Sequence, residues 1–138
     1  MAQPTSDSPR PPIAAAVIVK DGRVLLVRRR VKEGSLSWQF PAGEMEEGES
    51  AGTAAVRETY EETGLTVADT NLLGERLHPA IGRVMIYVAC NVIEGEAKVV
   101  DNDELADFTW AKGDQLAEYV PYGFYPVVQD YLDAELVR

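Results

Sequence analysis

Three glutamates spaced as Glu58, Glu61 and Glu62 can present a joint oxygen face to a divalent cation if the segment carrying them is helical. At 100° per residue, with Glu58 set to zero, Glu61 falls at about −60° and Glu62 at about +40°, so the carboxylates share one face. The same arithmetic brings Ala51, Ala54 and Ala55 within about 60° of that direction, one and two turns earlier. A face that begins in alanine lies close against other structure, which aims the carboxylates along the protein and not into bulk water. Like charges at i, i+4 cost an isolated helix about 0.2–0.5 kcal/mol per pair, and glutamate near a helix C-terminus opposes the macrodipole. Within the segment only Arg57 offsets this. Mg²⁺ would offset it too, because it binds carboxylate oxygens and keeps positions open for water and substrate phosphates. A solvated acidic patch is the competing reading of the same charges.

The elements that must position these residues follow from local signals. Residues 50–63 favour helix: most are good formers, Ser50 can N-cap, and Gly64 supplies the C-terminal stop. Gly43 and Gly48 bracket a loop that can bring backbone close to a ligand, with Glu44, Glu46 and Glu47 left unassigned. Glu49, just ahead of the N-cap, can hydrogen-bond backbone or Arg57 two turns on, or serve as a favourable charge at the helix start. Upstream, "IAAAVIV" and "RVLLVRRRV" are apolar runs separated by Lys20-Asp21-Gly22, a strong hairpin signal. Arg28, Arg29 and Arg30 end the second strand, and alternation points them to both faces; solvation and contact with a ligand phosphate are both open to them.

A short strand is expected around 38–40, after which Pro41-Ala42-Gly43 turns the chain. Beyond the helix, "LTVADTNLLGERLH" and "RVMIYVACNVI" read as strands, the second lying inside the sheet, followed by an acidic loop and a strand over 108–111. The remainder is mostly helical. Strands, helix, strands, helix imply an α/β (α+β) fold, a mixed sheet between helices.

Composition bounds the function. The 138 residues, 46% apolar, suit one domain over 13–138, preceded by a polar, Pro-rich arm over 1–12 that is expected to be flexible. A net charge of −10 argues against binding a nucleic-acid polymer, whose phosphates demand clustered Lys and Arg. A small anion remains open if a cation supplies positive charge. Cys90 is the sole cysteine and reads as a core residue, so a reducing, cytoplasmic setting is expected. The run over 13–19 is far shorter than the ~18 residues of a membrane span, and no signal-type segment precedes it, so no membrane association is expected.

Gly43, Glu49, Arg57, Glu58, Glu61, Glu62, Gly64 and Leu65 stand in the register G-x5-E-x7-R-E-U-x-E-E-x-G-U, with U apolar, and this resembles the Nudix box. The preceding "WQFPAG" is similar to that family's lead into the box, and the order of elements resembles its αβα sandwich over residues 12–138. Thr59 departs from an apolar position and Ala42 from the commoner glycine; neither removes a ligand. The resemblance implies hydrolysis of a nucleoside diphosphate linked to another moiety, of the MutT type, with Mg²⁺ or Mn²⁺. It further implies that Glu58, Glu61 and Glu62 are metal ligands and that one of them or a later glutamate is the base. Arg57 would orient a box carboxylate, and Glu49 would support the loop or an outer-shell metal. Glu104, several residues before Trp110, is the candidate additional carboxylate, a solvated loop residue being the alternative. Trp38 and Phe40 are candidates to stack on a nucleobase, with core packing the alternative, and Gly43 to approach the substrate. The expected partner is a small nucleotide, and a homodimer is an assembly the resemblance leaves open.

Overall fold

The structure is a computed structural model that describes residues 10–30, 36–79 and 81–138. The first strands form where the sequence is apolar and β-branched: β1 (Ile13–Lys20) and β2 (Arg23–Arg30), joined by a turn in which Asp21 and Gly22 both have positive φ, 53° and 74°. A two-residue turn with both positions left-handed matches the right-handed twist of the strands it joins. β3 (Leu36–Gln39) pairs with β2, and a short β4 (Ala42–Glu44) pairs with β1. Local sequence signals make Pro41-Ala42-Gly43 a turn; Pro41 is followed instead by strand because Ala42, Gly43 and Glu44 find Ala15, Ala14 and Ile13 across the ladder.

Helix α1 (Ala51–Thr63) follows, then the long strands β5 (Thr66–Leu77) and β6 (Val84–Glu94), β7 (Leu105–Ala111), a 3₁₀ turn, the short α2 (Leu116–Tyr119) and α3 (Pro126–Glu135). The principal strand order is β3-β2-β1-β6-β5, with β4 on β1 and β7 on β2. β1 and β6 run parallel and the other pairs antiparallel, so the sheet is mixed.

Alternation along β1 and β2 sends side chains into two cores. Ala14, Ala16, Ile18 and Leu25 pack with Ala54 and Ala55 of α1 and with Cys90, whereas Ala15, Val17, Val24 and Leu26 pack with Val128 and Leu132 of α3. Cys90 is fully buried, and burial pushes its thiol up to about 12, so it remains a core thiol.

Residues 1–9 of the expected arm lie outside the described residues. Residues 10–12 are tied down: Arg10 pairs with Glu44 at 3.1 Å, Arg83 donates to the Pro11 carbonyl at 2.6 Å, and Met45 N–H donates to the Pro12 carbonyl at 2.9 Å. Backbone bonding next to β4 therefore extends the fold upstream of residue 13. No helix among the described residues is long and apolar enough to cross a membrane.

Candidate active site

Both ends of α1 are built by the residues that signalled them. Ser50 is extended and its side chain accepts from Thr53 N–H at 3.1 Å; Gly64, at φ 78°, closes the other end with its N–H on the Tyr60 carbonyl. The carbonyls of Glu62 and Thr63, which face no further helical turn, accept from the N–H groups of Val100 and Lys98, each at 3.0 Å. Loop 95–104 thus completes the helix end that bears the glutamates. Thr59 is fully buried, with its hydroxyl donating to the Ala55 carbonyl at 2.8 Å, so a polar side chain fits an apolar position without an orphaned group.

Arg57 hydrogen-bonds three carboxylates and lies 3.8 Å from a fourth, that of Glu46. Its Nε and Nη2 donate to the two Glu49 oxygens at 2.8 and 2.9 Å, while Nη1 reaches Glu58 and Glu61, each at 3.2 Å. Glu49 also accepts from Glu46 N–H at 2.8 Å, which fastens the glycine-bracketed loop to the helix. Gly43 stands against the Glu58 carboxylate so closely that a Cβ there would collide with it. Close approach, not turn geometry, is what glycine provides here: a Cβ would fit only if the Glu58 carboxylate moved from its place on Arg57.

Glu62 is turned toward β2. Both of its oxygens accept from Nη2 of Arg29 at 3.0 Å, and Oε1 lies 3.4 Å from Ala42 N–H. The same nitrogen of Arg29 lies 3.4 Å from the Ala42 carbonyl oxygen. Glu104 stands at the outer side of this pair, its Oε1 3.9 Å from Arg29 Nη1 and its side chain 62% exposed. Among the described residues no three His, Cys, Asp or Glu side chains converge on one point. Guanidinium groups stand between the carboxylates instead.

The environments pull these carboxyls apart. The hydrogen bonds from Arg57, and then the one from Glu46 N–H, hold Glu49 down at about 2. Burial raises Glu58, against the opposing pull of Arg57 and with a further push from Glu61. Burial raises Glu62 to about 7 even with Arg29 beside it. The site therefore sets a Glu49 held firmly ionised by Arg57 beside two carboxyls, Glu58 and Glu62, whose burial disfavours the charged form.

The aromatic candidates lie elsewhere. Phe40 is 6% exposed, stacked on Phe124 at 5.4 Å and edge-on to Tyr87 at 6.3 Å. It is a core residue, because alternation beyond β3 turns it into the α3-side cluster. Trp38 is half-buried on the same side, edge-on to Tyr119 at 5.0 Å and beneath the Arg28 guanidinium at 5.9 Å. The structure thus unites Gly43, Glu49, Arg57, Glu58 and Glu61, links Glu62 and Glu104 through Arg29, and keeps Trp38 and Phe40 apart from them. Composition and order alone leave Arg29 undistinguished among three arginines. Strand parity singles it out, since Leu25, two pairs before it, faces α1.

The family model described as the NUDIX domain matches residues 9–131. Relatives include an RNA pyrophosphohydrolase of Haemophilus ducreyi, 48% identical over 67 residues that make up 49% of this chain and 32% of that protein. A MutT-like protein of Streptomyces ambofaciens is 28% identical over 121 residues, 88% of this chain and 75% of that one. The chain spans about a third of the length of the RNA pyrophosphohydrolases it matches. Among solved structures, a NUDIX hydrolase from Nitrosomonas europaea superimposes with a TM-score of 0.75 at 23% identity, covering 94% of this chain and 93% of that one.

Proposed function

The chain belongs to the Nudix family, and from that premise we propose that it is a cation-dependent hydrolase of a pyrophosphate bond in a nucleoside diphosphate linked to another moiety. The observation that carries this reading is the set of carboxylates braced along α1: Glu58, against Gly43, and Glu61 both on Nη1 of Arg57, and Glu62 buried under Arg29. The residues fit Mg²⁺ or Mn²⁺. Around Arg29 Nη2 stand three oxygens, two from the Glu62 carboxylate and one from the Ala42 carbonyl, a donor set of the kind hard cations take. Glu58, Glu61 and Glu62 would hold the ion. Once bound, it would lower the pKa of water, polarise the phosphoryl oxygens and neutralise charge developing at phosphorus.

The chain's own groups supply the rest. Arg57, anchored by Glu49, keeps Glu58 and Glu61 in fixed directions, so no reorientation is required at the moment of reaction. The water oxygen forms the new bond to phosphorus, the bridging oxygen leaves with the departing phosphate, and the water's proton passes to a carboxylate. Glu58, Glu61 and Glu104 are the candidates for that base.

The substrate we favour is a nucleoside triphosphate, including oxidised forms, cleaved to monophosphate and diphosphate. That choice rests on the resemblance of the box and its "WQFPAG" lead to enzymes of the MutT type. ADP-ribose or a nucleotide sugar is the alternative small substrate. A second reading draws on the Haemophilus ducreyi relative, an RNA pyrophosphohydrolase, against which the net charge of −10 weighs. The test is turnover with Mg²⁺ of nucleoside triphosphates, oxidised forms, ADP-ribose, dinucleoside polyphosphates and pyrophosphate-bearing RNA, beside Glu61→Gln and Glu62→Gln. Turnover of a triphosphate by the wild-type chain, lost in both variants, is the expected result. Tight nucleotide binding with no turnover on the panel would leave a nucleotide-binding regulatory domain in place of an enzyme.

A further inference from the structure

We propose that Arg29 is a built-in placeholder for the cation: its Nη2 holds the oxygens a divalent ion would take, and must give them up when the ion binds. The inference rests on the cation-dependent reading above. Glu62, with its side chain 5% exposed, would be a costly isolated charge in a metal-free fold, and Arg29, 17% exposed, supplies the compensating positive charge from β2. The neighbouring arginines are engaged elsewhere, Arg28 over the Trp38 ring and Arg30 through its Nε, which donates to the Asn102 carbonyl at 3.2 Å.

Arg29 Nη2 lies 3.0 Å from both Glu62 oxygens, so an ion bound by the two oxygens together would need the position that Nη2 occupies and would be repelled by it, whereas Arg57 touches one oxygen each of Glu58 and Glu61 and leaves the other open. Nη1 lies 3.9 Å from Glu104, so the guanidinium retains a carboxylate partner after Nη2 releases Glu62. Arg29 thereby supports the metal-free fold and opposes cation binding. The two effects have opposite signs. A purely structural arginine would, on removal, lower both stability and affinity.

The test uses the full chain at pH 8.5, with Mg²⁺ and Mn²⁺ binding followed by calorimetry without substrate and melting followed in EDTA. Arg29→Gln is expected to melt lower than wild type in EDTA and to bind Mg²⁺ at least about fivefold tighter, from loss of one positive charge beside the ion. Arg29→Lys, which keeps a charge but not the fork, is expected to fall between them and serves as the decisive variant if Arg29→Gln does not fold. Unchanged or weaker cation affinity in the variant, with normal binding by wild type, would overturn the placeholder alone. A wild-type chain that neither binds Mg²⁺ nor turns over any substrate would overturn the cation-dependent reading and the placeholder with it.

Discussion

At the scale of single residues, the site is a set of carboxyls that differ through their surroundings. Gly43 is the most sharply constrained neighbour, since a Cβ there would collide with the Glu58 carboxylate. Gly43→Ala is expected to lower kcat by about 100-fold, the cost of displacing a reacting group by about an ångström. Its circular dichroism should stay native, which separates displacement from unfolding. Glu62 makes a pH prediction with a definite sign. Its carboxyl is raised from 4.5 to about 7, so the folded chain binds its proton more tightly than the unfolded chain does. That contribution to stability is present in full below 4.5 and is lost as pH rises through 7. Glu49 behaves oppositely: held at about 2, it contributes above 4.5 and loses its contribution as pH falls toward 2. Melting in EDTA should therefore show the Glu62 loss between about pH 5 and 8, clear of the Glu49 window. A cation needs the ionised carboxylate, so Mg²⁺ affinity should fall as pH drops below 7 and binding should release a proton. Calorimetry in buffers of different ionisation enthalpy would read that proton directly.

At the scale of elements, α1 is the platform, and its ends rest on specific side chains. Ser50→Ala removes the oxygen that accepts from Thr53 N–H and is expected to cost about 1 kcal/mol. Gly64→Ala forces a Cβ into φ 78° and should cost about 1 kcal/mol or more. Urea midpoints at constant m would check both. These ends were legible in the sequence because capping chemistry is local: a hydroxyl, a glycine and the apolar spacing between them. The hairpin of β1 and β2 was legible for the same reason, through Asp21-Gly22. β4 was not, because Ala42, Gly43 and Glu44 have weak strand preference and become strand by pairing with β1, nearly thirty positions earlier. The helix-end bonds from Lys98 and Val100 are equally non-local. Glu58, Glu61 and Glu62 could be placed on one helix face from spacing alone. What spacing could not convey is that Arg57 takes two of them and Arg29 the third, since the second pairing crosses from helix to sheet. The aromatic readings divided on tertiary grounds, with strand alternation and α3 burying Phe40.

At the scale of the whole molecule, the sheet separates two roles. On one side α1 approaches β1 and β6 through Ala54 and Ala55, both fully buried, and this close contact sets how far the carboxylates stand from β2 and β4. On the other side α3 covers the sheet with Val128 and Leu132, also fully buried, and contributes mainly apolar burial. Changes of volume on the two sides should therefore have different consequences. Leu132→Ala leaves a cavity and is expected to cost about 2–5 kcal/mol of stability, while kcat measured well below its melting temperature stays near wild type. Ala55→Leu overfills the α1 contact and is expected to cost only about 1–3 kcal/mol. Relief of that overpacking must move α1 away from the sheet, taking Glu58 from Gly43 and Glu62 from Arg29. Its kcat should fall by more than that of Leu132→Ala even though its stability falls by less. Paired denaturation and initial-rate measurements on the two variants decide the matter: a loss of activity that tracks stability across both would show that the two faces are not divided in this way.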